Sequence, residues 1–133
     1  MKLLMELNLA PGIEGRKEIV VTADKTAIAF GSGTVEVFAT PAMIALMEQT
    51  AMESVAQFLP EGFVTVGTEV SVKHFKATLP GKVVSCSSKL INSEDKKLVF
   101  EVAASDEYGL IGKGIHKRYI VDKQEFIDTL KDK

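Results

Sequence analysis

Apolar side chains fill most of the stretch Thr40–Leu59 (TPAMIALMEQTAMESVAQFL), and its polar positions recur at the spacing of an α-helix. A narrow polar stripe is formed by every fourth residue, Gln49, Glu53 and Gln57. Thr40 is predicted to cap this helix and Pro41 to take its first position, because the hydroxyl can accept a free N–H and proline lacks one. Pro60 and Gly62 end the helix. With so narrow a stripe, the helix is predicted to be buried on most of its circumference.

Glu48 is the one charged residue on the apolar side of this helix. Its face is otherwise made of Ile44, Ala51, Met52 and Val55, nearly opposite the polar stripe. Burying an unpaired charge is very costly, so this carboxylate requires a cationic partner or a raised pKa. Glu48 is therefore the first candidate for a functional residue.

Strict alternation of apolar and polar residues follows the helix over residues 63–77 (FVTVGTEVSVKHFKA) and predicts a long β-strand. One face carries four valines, Val64, Val66, Val70 and Val72, with Thr68 between them. His74 falls on this valine face, which is predicted to point into the core. The other face, with Thr65, Glu69, Ser71 and Lys73, is predicted to meet solvent or a sheet partner.

Shorter segments complete the predicted order of elements. Strands are predicted over residues 1–10, 17–23, 82–91, 97–104 and 110–121, and a short helix over residues 122–130. Residues 24–39 are predicted as a loop, because their FGSG is flexible. This loop could cover a site, although a plain connection is the simpler interpretation. Tight turns join the strands that follow the long helix, so those strands must be antiparallel.

This order predicts an α+β hot-dog fold, in which an antiparallel sheet wraps around one long buried helix. We expect it as a single hot-dog domain over residues 1–133. A single sheet leaves its outer face and its edge strands to be covered. We therefore expect at least a homodimer, with a tetramer as the alternative.

The composition of the chain limits which kinds of molecule the protein is expected to bind. The chain has 16 basic and 18 acidic residues and no dense basic run, which argues against nucleic-acid binding. Cys86 is the only cysteine, so no intrachain disulfide can form. A location in the reducing cytoplasm is therefore expected. The Cys86 side chain is predicted to be buried and to pack as a small apolar group. The apolar start MKLLMELNL is too short for a signal peptide, and no stretch has the length of a membrane span. The two histidines, His74 and His116, lack a cluster of further ligands, so no metal is expected.

Thr40, Glu48 and His74 form the candidate catalytic group. Taken singly, they are explained as a helix cap, an interface charge and a hydrogen-bonded structural histidine. Taken together, they supply the parts of an acyl-transfer site. A neutral histidine can remove a proton from a hydroxyl or water, a carboxylate can orient the imidazole, and the start of a helix can stabilise an oxyanion. The sequence leaves open whether one chain or two supply these groups.

Two segments carry a family resemblance, VFATPAMIALMEQTA (residues 37–51) and VGTEVSVKHFKATLPG (residues 66–81). They resemble the hot-dog thioesterases related to fluoroacetyl-CoA thioesterase, and the order of elements is similar over nearly the whole chain. The resemblance implies hydrolysis of an acyl-CoA thioester in a pocket at a dimer interface. It implies no cofactor, because the coenzyme A thioester is itself the substrate. The family's aromatic lid before the helix is replaced here by FGSG, so selectivity for fluoroacetate is not implied.

The same resemblance implies which residues form the site. The residues expected to be catalytic are Thr40, Glu48 and His74. Gly67 corresponds to a glycine that lies near the thioester in that family. Apart from the resemblance, Arg118, late in the last strand, is expected to line the site and contact the substrate. Phe30 and Met43 are expected to contact the acyl group, and the depth of its pocket is expected to depend on the packing of Phe30, Met43 and Met47 with residues of the partner chain. The resemblance leaves open whether water attacks directly or a covalent acyl intermediate forms.

The leading hypothesis is an acyl-CoA thioesterase for small or medium acyl groups. The alternative is a non-catalytic acyl-CoA-binding or sensing module on the same fold. Hydration or dehydration of an acyl thioester also uses a histidine and a carboxylate on related folds, but the ATPxMIxLME helix argues against it. A simple oligomeric scaffold would leave Glu48 unexplained. His116 and Lys117 are expected either to meet the CoA phosphates or, more simply, to lie at a solvated strand end.

Overall fold

A computed structural model describes residues 9–131 of the chain. Its strands are β1 (Glu14–Val20), β2 (Phe63–His74), β3 (Val83–Glu94), β4 (Lys97–Asp106) and β5 (Gly109–Asp122). Its helices are α1 (Ala27–Phe30), α2 (Thr40–Ala56) and α3 (Lys123–Lys131), with a 3₁₀ turn at Ala23–Lys25 before α1. The strand predicted over residues 1–10 lies outside the described residues except for Leu9 and Ala10, which belong to no strand.

The five strands form one antiparallel sheet in the order β1-β3-β4-β5-β2. Helix α2 packs across the inner face of this sheet and contacts β1, β2, β3 and β4. Apolar side chains of the helix and the strands, such as Leu46, Leu98 and Phe100, fill the space between them. Removing this apolar surface from water stabilises the arrangement. The predicted hot-dog fold, with a sheet wrapped around one long helix, is confirmed.

Helix α2 buries most of its circumference, as predicted. The buried residues are Ala42, Met43, Leu46, Met47, Thr50, Ala51 and Val55. The polar stripe of Gln49, Glu53 and Gln57 is exposed. The predicted helix start is wrong by one residue. Ala39 takes the N-cap position without a side-chain cap, and Thr40 is the first helical residue, so its hydroxyl is free for another contact.

A β-bulge in β2 reverses the predicted faces of the first half of this strand. Between Gly67 and Glu69 the pairing with β5 shifts by one residue, with Thr68 as the extra residue. Before the bulge, Thr65 is buried whereas Val64 is 36% exposed. The prediction that four valines share the inner face and that Thr65 points outward is therefore wrong. One inserted residue moves every earlier side chain to the opposite face.

The segment between β1 and α2 is held by its own hydrogen bonds. Thr26 is buried, accepts a hydrogen bond from the Ala29 N–H at the start of α1, and pairs with Phe38 in an isolated bridge. Gly31 ends α1 with a φ of 69°, which glycine adopts without strain. The loop predicted over residues 24–39 thus contains a one-turn helix. Four residues are too short to show a helical period in the sequence.

Strand β2 forms one edge of the sheet and is 12 residues long. Exposed apolar side chains lie on this strand, just after it and on α2, with exposures of 36% for Val70, 53% for Phe75 and 38% for Met52. An edge strand presents unpaired N–H and C=O groups that proteins usually cover. Exposed apolar side chains thus lie on and beside an edge strand of the sheet.

Candidate active site

Thr40 and His74 meet where the long helix begins and the strand after it ends. Thr40 is the first residue of α2 and His74 is the last residue of β2. Thr40 Oγ1 and His74 Nδ1 are 2.8 Å apart, which is within hydrogen-bond range. The positive end of the α2 dipole and the free N–H groups of its first turn lie beside this contact. The structure thus brings together two of the three residues predicted to be catalytic.

The surroundings of His74 favour the neutral imidazole. The ring is partly buried and meets Phe38 edge to face, with 6.3 Å between the ring centroids. Burial lowers the pKa of His74 below its ordinary value of 6.5, although the backbone of Lys76 acts in the opposite direction. Its Nε2 is buried and makes no hydrogen bond within residues 9–131. A neutral histidine whose Nδ1 contacts a hydroxyl can accept a proton from it.

A cavity of about 360 Å³ opens beside this pair. Its wall is formed by Ala27, Ser32, Val37, Phe38, Thr40, Pro41, His74, Phe75, Lys76 and Ala77. Phe30 is not part of this wall, and its side chain is 47% exposed. Met43 is fully buried and packs against Gly112, where an added Cβ would lie 2.6 Å from the Met43 sulfur. The single chain does not bring Phe30 and Met43 to the cavity, so their contact with substrate remains a prediction.

Glu48 belongs to a second cluster. Its Oε2 is 4.0 Å from Arg118 Nη1, so the cationic partner that the sequence required is Arg118. Its side chain is 40% exposed in the single chain, which is more than the apolar face predicted. Gly67 leaves room for the carboxylate, because a Cβ there would lie 2.8 Å from Glu48 Oε2. The structure therefore brings Gly67 and Arg118 to Glu48, and it brings Thr40 to His74.

The guanidinium of Arg118 is buried and bonded on three sides. Its Nε donates to Thr65 Oγ1 at 2.7 Å and its Nη2 donates to the Thr65 carbonyl at 2.9 Å. Its Nη1 lies 3.0 Å from His116 Nε2. Burial lowers the pKa of Arg118, and the nearby Glu48 carboxylate acts in the opposite direction. Arg118 is thus held in a fixed orientation beside Glu48.

His116 lies in the core of the protein. It is 1% exposed and its ring stacks on Phe100. The prediction that it meets CoA phosphates or lies at a solvated strand end is therefore wrong. Sequence reasoning also missed Thr65 as a neighbour of the site. The alternation of His116 and Arg118 along β5 gave a signal for a shared inner face, whereas the bulge that turns Thr65 inward left none.

The remaining expectations concern the cysteine, metals and membranes. Cys86 is buried, as predicted, and burial raises the pKa of its thiol. Within residues 9–131 no group of three or more histidine, cysteine, aspartate or glutamate side chains is placed to hold a metal ion. In the same range no helix has both the length and the apolar character that crossing a membrane requires.

Comparison with known proteins gives consistent matches. The sequence model of the family described as fluoroacetyl-CoA-specific thioesterase (FlK) matches residues 21–124. The fluoroacetyl-CoA thioesterase of Streptantibioticus cattleyicolor is 35% identical over 98 residues, which are 74% of this chain and 70% of that protein. The solved structure of the fluoroacetyl-CoA thioesterase FlK aligns with a TM-score of 0.89 and 30% identity, over 94% of this chain and 97% of that chain.

A further solved structure has the same fold. A protein of Thermus thermophilus described as a thioesterase superfamily member aligns with a TM-score of 0.86 and 29% identity, over 93% of this chain and 92% of that one. The family match spans most of the chain, including the elements that hold Thr40, Glu48 and His74. The chain therefore belongs to the fluoroacetyl-CoA-specific thioesterase family.

Proposed function

We propose that this thioesterase hydrolyses small or medium acyl-CoA thioesters with Thr40, His74 and Glu48 as its catalytic residues. The observation that carries the proposal is the 2.8 Å contact between Thr40 Oγ1 and His74 Nδ1 beside a cavity at the start of α2. A hydroxyl, a neutral base and a helix N-terminus at one point are the groups that thioester hydrolysis requires. Membership of a thioesterase family supports the same reaction.

The proposed chemistry follows from the geometry of this pair. His74 Nδ1 accepts a proton from a hydroxyl while the hydroxyl oxygen attacks the thioester carbonyl carbon. The carbonyl oxygen becomes an oxyanion, which the first N–H groups and the dipole of α2 stabilise. The C–S bond then breaks, and the CoA thiolate takes the proton from His74. These steps use the side chains and backbone of the protein and need no cofactor.

The attacking oxygen can be identified by mass spectrometry of the protein quenched during turnover. Thr40 supplies the hydroxyl that touches His74 in the structure. A mass increase equal to the acyl group, located on Thr40, identifies the threonine as the nucleophile, which a water then releases. Turnover without this adduct assigns the attack to a water molecule held by Thr40 and His74.

The size of the cavity supports small or medium acyl groups. Its volume of about 360 Å³ lies near the lower end of the range of roughly 300–1,000 Å³ for small-molecule sites. We do not carry over selectivity for fluoroacetyl-CoA, because the segment before α2 reads FGSG where the family resemblance implies an aromatic lid. We expect several short acyl groups to be accepted.

We propose further that the enzyme is a homodimer whose two copies share each site. Glu48 is eight residues from Thr40, about 12 Å along α2, and its charged partner is Arg118. Antiparallel pairing of the outer edges of β2 in two copies would lay the Gly67 region of one copy near the His74 end of the other. Glu48, which is beside Gly67, would then serve the Thr40–His74 pair of the second copy.

Mixed dimers test this sharing. Chains carrying His74→Ala are mixed with chains carrying Glu48→Ala and allowed to exchange. With shared sites, about a quarter of wild-type turnover returns, because half of the dimers are mixed and one of their two sites is intact. With both residues acting within one chain, no turnover returns. Sedimentation of each variant confirms that the dimers still form.

A panel of acyl-CoA thioesters from acetyl to long-chain tests the activity itself. We expect release of free thiol with short and medium acyl groups, and we place the reaction in the cytoplasm, where Cys86 stays reduced. Thermal stabilisation by acyl-CoA without thiol release would instead indicate the binding or sensing module. An altered acyl group without thiol release would indicate hydration or dehydration.

A further inference from the structure

His116 is a buried histidine that the proposed chemistry does not use. Both ring nitrogens have partners, the Glu69 carbonyl at 2.9 Å from Nδ1 and Arg118 Nη1 at 3.0 Å from Nε2. A carbonyl only accepts, so Nδ1 must carry the proton and donate it. Arginine only donates, so Nε2 must offer its lone pair to Arg118. The two contacts together fix one neutral tautomer of His116.

The tautomer of His116 determines how Arg118 is held. Nε and Nη2 of the guanidinium donate to Thr65, and one hydrogen of Nη1 goes to His116. Because the guanidinium is planar and rigid, these contacts fix its plane, and Glu48 Oε2 lies 4.0 Å from Nη1. His116 thus completes the set of contacts that orients Arg118.

Three groups meet over Gly67, where the absence of a side chain leaves the space they occupy. A Cβ at Gly67 would lie 2.8 Å from Glu48 Oε2, 3.3 Å from His116 Cε1 and 3.4 Å from Arg118 Nη1. The carboxylate, the imidazole and the guanidinium are therefore neighbours around a single backbone position. The position of each group therefore limits the space available to the other two.

The bulge in β2 provides the carbonyl that anchors His116. Glu69 directly follows the extra residue of the bulge and is the first residue to pair with β5 again, opposite Lys117. Its carbonyl accepts the hydrogen bond from His116 Nδ1. Burial lowers the pKa of His116, with the Glu69 backbone acting in the opposite direction, and the neutral ring matches the tautomer that the two contacts require.

We propose that His116 is a positioning residue of the thioesterase, which holds the Arg118 guanidinium so that Arg118 keeps the Glu48 carboxylate over Gly67. The inference rests on the proposed function, because it assigns His116 to the site that Glu48 serves. His116 does not touch the substrate and does not exchange a proton during the reaction. Its contribution is the lone pair of Nε2.

Two substitutions of His116 each keep one of its two hydrogen bonds and remove the other. His116→Gln places a carbonyl oxygen near the position of Nε2 and keeps the acceptor for Arg118. His116→Asn places an amide N–H near the position of Nδ1 and keeps the donor to the Glu69 carbonyl. Each variant loses one hydrogen bond and the ring, so each is a stability control for the other.

We expect His116→Asn to lower kcat about tenfold, the lower end of the effect of partners that orient a functional group. We expect KM to change by less than about twofold, because binding of the substrate is not the step affected. His116→Gln should stay close to wild type in kcat. Equal losses in the two variants, or a larger loss in His116→Gln, would overturn the proposal.

A second measurement does not depend on activity. The ¹⁵N shifts of the His116 ring in the wild-type protein should show the proton on Nδ1 and a free lone pair on Nε2. The Arg118 Nε–H signal should move in His116→Asn and stay in place in His116→Gln. A proton on Nε2, or an unchanged Arg118 signal in His116→Asn, would contradict the proposal. Absent turnover in the wild type would instead refute the proposed function.

Discussion

The two histidines of this chain lie on neighbouring strands and face the same helix, yet their partners differ. His74 directs Nδ1 at the Thr40 hydroxyl beside a cavity, and its Nε2 makes no hydrogen bond within residues 9–131. His116 is enclosed in the core and has both nitrogens bonded, to Glu69 and to Arg118. Burial lowers the pKa of both rings. The comparison teaches that burial and a lowered pKa do not distinguish a base from a positioning residue, whereas the hydrogen-bond partners do.

Removing the Thr40 hydroxyl, which contacts His74, should give the largest loss of activity. We expect Thr40→Ala to lower kcat/KM about a hundredfold or more, because His74 loses the group whose proton it accepts. Thr40→Ser keeps the hydroxyl and should stay within about tenfold of wild type. Steady-state thiol release measures both. Equal activity of the alanine and serine variants would show that the hydroxyl is not used.

Removing the His116 ring should lower the stability of the fold. His116→Ala leaves a cavity beside Phe100. It also leaves the Glu69 carbonyl and Arg118 Nη1 without the hydrogen bonds that His116 made to them. We expect the free energy of unfolding to fall by about 3 kcal/mol. His74→Ala, at a partly exposed strand end, should cost less than about 1 kcal/mol. Urea unfolding of the two variants measures the difference, and equal losses would remove the distinction between the two histidines.

Filling the space over Gly67 should disturb the Glu48 cluster without touching the Thr40–His74 pair. Gly67→Ala places a Cβ 2.8 Å from Glu48 Oε2, so the carboxylate must move. We expect kcat to fall about tenfold, as for other groups that hold a functional side chain in place. An unchanged kcat in a folded Gly67→Ala protein would contradict this account.

The pH dependence of kcat/KM should have its acidic limb below the ordinary pKa of histidine. Turnover requires neutral His74, so kcat/KM falls as pH drops through the pKa of His74 in the free enzyme. Burial lowers this pKa below 6.5, and the acidic limb of the profile should therefore lie below pH 6.5. His116→Gln should keep the same limb, since His116 is not the base. A limb at or above pH 6.5 would argue against a desolvated histidine as the base.

The sequence predicted the features that depend on neighbouring residues in the chain. The apolar stretch with its narrow polar stripe predicted α2, and the tight turns predicted an antiparallel sheet around it. The start of α2 and the alternation up to His74 identified Thr40 and His74 as candidate site residues. The resemblance to the family agreed with the same residues.

The features that the sequence did not predict depend on pairing between distant strands. The bulge at Thr68 is defined by the register of β2 against β5, and the inward turn of Thr65 follows from it. The burial of His116 likewise depends on the register of β5 against β4, which sets it opposite Phe100. Such registers leave no local signal in composition or periodicity.

His74→Ala tests the central claim most directly, because the claim assigns the base to the histidine that faces Thr40. Thiol release from a short acyl-CoA is measured for the wild type and the variant, with the thermal midpoint of each as a control for folding. We predict that kcat falls by about 10²–10⁴, the usual contribution of a general base, while the variant stays folded. Undiminished turnover in a folded His74→Ala protein would contradict the account.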